Sequence, residues 1–140
     1  MIDREAVARE LQAQGLTLNE VNPGIWASSF DVEGTKQEVL LFVSQTSGYF
    51  VALSPMVSPA LEAAPSGLTQ KTLSTLIEIG STVPLAKVDF KAVGGDVMYS
   101  ALSYCSSKDW SGEKLSMRMR DVAILAAKVE ASLGRPQANH

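Results

Sequence analysis

An α+β domain with two layers, helices laid on one antiparallel sheet in the order α-β-β-β-α-β-β-α, is the fold class this sequence predicts. Two observations carry it. Apolar residues recur at helical spacing in three segments and at period two in five others, and short glycine-containing turns join neighbouring alternating segments.

The first helix is expected from Asp3 to Gln14: Asp3 suits the N-cap, and Gly15 can take the left-handed conformation that ends a helix. Ile2 and Val7 occupy the positions of a hydrophobic staple. Val7, Ala8 and Leu11 form a narrow apolar stripe, with Arg4, Glu5, Arg9 and Glu10 on the wet side, so this helix lies on the sheet rather than inside the core.

Ile25 to Val32 then alternates, with Trp26, Phe30 and Val32 on one face and Ser29, Asp31 and Glu33 on the other. Gly34-Thr35 is read as the turn into a second strand, Glu38 to Ser44, which is apolar on both faces. Ser47-Gly48 turns the chain into Tyr49 to Leu53, completing a three-stranded meander. Pro55, Pro59 and Pro65 break the next stretch, so residues 55–67 are expected to be a loop.

The second helix is expected over Thr69 to Ile79, with Leu73, Leu76 and Ile77 toward the core and Gly80 at its end. Lys87 to Val93 alternates again, Gly94-Gly95 supplies a two-residue hairpin turn, and Val97 to Cys105 returns. The last helix starts near Ser111, a good N-cap. Its Leu115, Met119, Val122, Ala126, Val129 and Leu133 recur at steps of four and three, and Gly134 and Pro136 stop it. Ile124 and Leu125 widen that stripe beyond a coiled-coil seam, so the helix is expected to pack on the sheet.

A length of 140 residues fits one domain, with an ordered core at about 3–134 and a short tail at 135–140. The net charge of -3 and scattered basic residues argue against a nucleic-acid surface. Cys105 is the one cysteine, the start lacks the apolar run of a secretory signal, and no stretch approaches bilayer length. A soluble, cytoplasmic protein without membrane insertion is expected.

The chemistry-bearing residues mostly exclude functions. His140, the one histidine, is the last residue and reads as tail or tag remnant, which removes histidine triads and zinc sites. Cys105 has no histidine partner and is expected to be a small buried apolar residue. Asp89, Asp96 and Asp109 read as solvated turn residues, and no helix follows Gly94-Gly95-Asp96 to make a phosphate site. No catalytic residue, cofactor or metal is therefore assigned.

Register yields a positive expectation. A two-residue turn at Gly94-Gly95 pairs Lys91 with Met98, Asp89 with Ser100 and Lys87 with Leu102. If Val88, Phe90, Val97 and Tyr99 face the helices, Met98, Leu102 and Tyr104 face away. The same parity turns Trp26, Phe30, Val39 and Leu41 inward and leaves Leu40 and Phe42 on the open side. Three helices do not readily cover both faces of a five-stranded sheet. Leu40, Phe42, Met98, Leu102 and Tyr104 are thus expected to form an apolar patch that binds a partner. A turn with an odd residue, or a helix crossing over, would bury it instead.

The element order, together with the alanine-rich amphipathic stretch Leu115 to Leu133, resembles the secretion-chaperone-like fold over nearly the whole chain, Asp3 to Leu133. That fold includes type III secretion chaperones of the CesT type and YbjN-type bacterial proteins. The resemblance implies a small, acidic, cytoplasmic homodimer without enzymatic activity. The chaperones of this kind hold an extended client segment by apolar grooves and strand addition. Together with the patch this points to a non-enzymatic protein, dimeric, that holds a partner polypeptide segment on a sheet face or edge. Two alternatives stand beside it: a small-molecule-binding or weakly enzymatic domain with a pocket under the 55–67 loop, and a structural module of a larger assembly.

Overall fold

In a computed structural model the chain is described at residues 3–44, 48–56, 70–93 and 96–133, with side chains described except over 90–98. The first helix, α1 (Arg4–Ala13), begins where expected. The backbone N–H groups of Glu5 and Ala6 donate to Asp3 Oδ1 at 3.0 and 3.4 Å, satisfying two donors that the first helical turn leaves unpaired. Val7 and Leu11 are fully buried. The staple residue Ile2, the Gly94-Gly95 turn, the loop beyond Met56, Thr69, and the Gly134 and Pro136 stop all lie outside the described residues.

Six strands follow in one antiparallel sheet, β1 (Asn19–Asn22), β2 (Ile25–Val32), β3 (Thr35–Val43), β4 (Tyr49–Met56), β5 (Lys87–Val93) and β6 (Asp96–Ser106), in the spatial order β1-β2-β3-β4-β6-β5. The short β1 is an addition to the five strands expected. Asn19–Asn22 is exposed throughout, so it carries no buried face to create an alternating signal.

The first hairpin turns at Glu33-Gly34, one residue earlier than the sequence suggests, with Val32 paired to Thr35. Both residues have positive φ, 50° and 83°, the combination that a type I′ turn needs to match strand twist. Moving a two-residue turn by one position shifts the pairing by two. Side-chain parity is thereby kept, and Trp26 and Phe30 still share a face with Leu41 and Val39.

β4 runs three residues further than expected, through Pro55, which pairs with Ser100 of β6. Pairing of β4 with β3 stops at Leu53, so no ladder is required on that side of the proline. The second hairpin keeps the expected register of Lys87 with Leu102, Asp89 with Ser100 and Lys91 with Met98.

The other two helices are α2 (Gln70–Gly80) and α3 (Gly112–Leu133). Ser111 caps α3 through an N–H of Lys114 that donates to its Oγ at 3.1 Å. Leu115, Met119, Val122, Leu125, Ala126 and Val129 of α3 are buried against Val39, Leu41, Phe50, Ala52 and Ala101 of the sheet. α1 crosses the start of α3 so closely that a Cβ on Gly112 would lie 2.7 Å from the Glu10 carbonyl oxygen.

α2 departs from expectation. Leu76 is buried, but Leu73 and Ile77 are 47% and 65% exposed. The helix sits at the sheet margin against α3 and β5, so one line of its surface finds neighbours while the rest of the apolar stripe looks outward. No helix among the described residues is long and apolar enough to cross a membrane.

Candidate functional site

Among the described residues the sheet has a helix side and a side on which no helix lies. Every strand residue in the buried core cluster, including Trp26, Val39, Leu41, Phe50, Tyr99 and Cys105, has the parity that faces the helices. Strand neighbours of the opposite parity therefore meet one another across the other face. Leu40 pairs with Ala27 and Leu53, Phe42 with Ile25 and Val51, Leu102 with Leu53, and Tyr104 with Val51. These pairs join β2, β3, β4 and β6 into one apolar surface.

Four of the five expected patch residues take these places. The fifth, Met98, holds the register position opposite Lys91, and its side chain lies outside those described. Leu40 and Phe42 are half-buried, Tyr104 is 47% exposed and Leu102 is 4% exposed. Leu102 is buried yet stands outside the helix-side core cluster, as does Ala27. By register both lie on the face opposite that cluster. Tyr104 meets Tyr49 edge-on at 6.4 Å, and the Lys87 ammonium sits 5.2 Å from the Tyr104 ring, so the rim is aromatic with one cation on it.

Ile25, Tyr49, Val51 and Leu53 belong to this face and were missed in the sequence. Parity carried through the Ser47-Gly48 turn would have placed Tyr49, Val51 and Leu53 beside Phe42 and Leu40. The edges of the sheet are β1 and β5, at opposite ends.

The helix side holds the polar groups that position α3. Gln37, 6% exposed on β3, donates from Nε2 to Glu130 Oε1 at 2.7 Å, and Arg118 donates to Ser103 Oγ at 3.1 Å. Periodicity carries no signal for such pairs, because a polar residue at a core position looks like a pattern error until its partner is placed. Cys105 is buried, as expected. Burial pushes its thiol above the ordinary value, against the opposing pull of Arg118 and Lys114. A thiol so held is a poor nucleophile. Among the described residues no group of three His, Cys, Asp or Glu is placed to hold a metal ion. Of the 55–67 loop expected to cover a pocket, residues 57–67 lie outside the described residues.

No protein-family model matches the chain, and no curated protein matches it. Solved structures do. An uncharacterized protein from Methanothermobacter thermautotrophicus superposes with a TM-score of 0.58 at 12% identity, over 95% of this chain and 100% of that one. YbjN, a putative transcription regulator from E. coli, gives 0.59 at 9% identity over 94% and 93%. A chain of the HopA1–SchA chaperone–effector complex gives 0.54 at 12% identity over 94% and 97%. The antiparallel sheet and the three described helices therefore have the secretion-chaperone-like fold that the sequence resembles.

Proposed function

We propose that this protein is a non-enzymatic binding protein, a homodimer, that holds an apolar segment of a partner polypeptide on its open sheet face. The observation that carries the reading is the joined surface of Leu40, Phe42, Leu53, Leu102 and Tyr104, which turns away from the three described helices. Contiguous apolar faces of this kind serve protein association far more often than they stay bare. Met98 extends the row by its register with Lys91. The fold is shared with a chain of a chaperone–effector complex, which supports a polypeptide as the occupant. The partner segment is extended or amphipathic, with apolar side chains meeting Leu40 and Phe42 and a polar or acidic position near Lys87. A second copy of the chain would meet the separate outward stripe of α2, where Leu73 and Ile77 are exposed.

The test is quantitative capture from the cells that make the protein, comparing the wild type with Phe42→Asp, and with Ile77→Glu in parallel sedimentation. A partner held by the wild type and lost by a folded Phe42→Asp supports the reading. Identical captured sets for both proteins rule out the open face. A chain that sediments as a monomer at all concentrations removes the homodimer, and a dimer untouched by Ile77→Glu removes α2 as its interface.

A further inference from the structure

A cleft of about 700 Å³ opens on the helix side of the sheet, between the β2–β3 hairpin, the second half of α2 and residues 120–132 of α3. Its size lies in the range of about 300–1,000 Å³ that small-molecule sites occupy. The walls are apolar over Phe30, Val32, Ile79, Ile124 and Ala127. Two cations, Arg120 and Lys128, stand on the α3 wall about 12 Å apart along the helix.

The cations differ. Lys128 donates from Nζ to Thr82 Oγ1 at 3.3 Å, tying α3 to the end of α2. Arg120 lies over the Phe30 ring at 5.7 Å from its centroid, and the ion pairs among the described residues, Arg9–Asp3 and Lys114–Asp109, do not include it. A guanidinium beside a ring has N–H groups left for another acceptor, and its fork of donors matches a carboxylate. Asp31, Glu33 and Glu78 line the same cleft and disfavour a second anionic group on the ligand.

We infer that this cleft binds an amphiphilic monocarboxylate, its head on the Arg120 guanidinium and its unbranched apolar tail along Phe30, Val32, Ile124 and Ala127. The site is separate from the open face of the sheet, which lies on the other side of β2 and β3. Neither depends on the other.

The experiment titrates the full chain with sodium octanoate, following backbone amide shifts and calorimetry, with octanol and octylammonium as tail-matched controls. Octanoate should bind saturably, shifting the amides of Ile79 and Ala127, and roughly tenfold more tightly than octanol. Arg120→Gln should remove that advantage. Ala131→Trp, at an exposed position on the cleft wall, should block binding without touching the core. Lys128→Gln should leave affinity within about threefold, because its ammonium serves Thr82. Absence of saturable shifts, equal binding of octanol or octylammonium, or full affinity in a folded Arg120→Gln protein would each overturn the assignment.

Discussion

Leu41 and Phe42 are adjacent in sequence and lie on opposite faces of β3, so the same substitution at each measures which face is open. Leu41 is fully buried under α3, whereas Phe42 is half-buried on the side that carries none of the described helices. Leu41→Asp removes a core side chain, worth about 3 kcal/mol, and leaves a carboxylate without a partner, which adds several kcal/mol more. That sum is comparable to the whole stability of a domain, about 5–15 kcal/mol, so the variant should lack a cooperative transition. Phe42→Asp loses part of one aromatic contact and keeps its carboxylate in water, a cost of about 1–2 kcal/mol. With an unfolding entropy near 0.3 kcal/mol/K for 140 residues, its Tm should fall by roughly 5 °C. Thermal unfolding followed by circular dichroism reads both. Equal collapse of the two variants would mean that the open face is covered, and a cooperative Leu41→Asp near the wild-type Tm would mean that the sheet parity is wrong.

Other consequences follow from the helix side. Gly112→Ala should cost about 1–3 kcal/mol despite better helix propensity, because its Cβ meets the Glu10 backbone, and an unchanged urea midpoint would contradict the close α1–α3 crossing. Gln37→Leu should cost about 1 kcal/mol by leaving Glu130 one donor short, whereas a more stable protein would show that the pair contributes nothing. Cys105 should react with iodoacetamide far more slowly in the native protein than in urea, and equal rates would refute its burial. Its raised folded-state value also has a sign in stability. The contribution is complete below the ordinary thiol range and is lost as pH rises through the folded value, since the unfolded chain releases the proton first. Cys105→Ala should remove that alkaline component from pH-dependent unfolding.

The helices and hairpins were legible because their signals are local. Asp3 and Ser111 cap by hydrogen bonds to residues a few positions away, and alternation from Ile25 to Val32 or Lys87 to Val93 needs nothing distant to be read. Which strand residues share a face was legible for the same reason. A strand period of two and hairpin turns of two residues carry parity from strand to strand, and parity survived even where the first turn was displaced. Val51 and Leu53 of β4 join the same face as Phe42 and Leu40 by that parity.

What tertiary structure alone decided is where each helix stripe finds its neighbours. The spacing of Leu73, Leu76 and Ile77 cannot distinguish a helix over the sheet centre from one at its margin, and the margin leaves two of the three in water. The Gln37–Glu130 pair, the Gly112 crossing and the Arg120–Phe30 stack join residues 93, 102 and 90 positions apart. Local sequence determines the elements and the faces they offer; contacts over such separations depend on how the layers settle together, which no local period encodes.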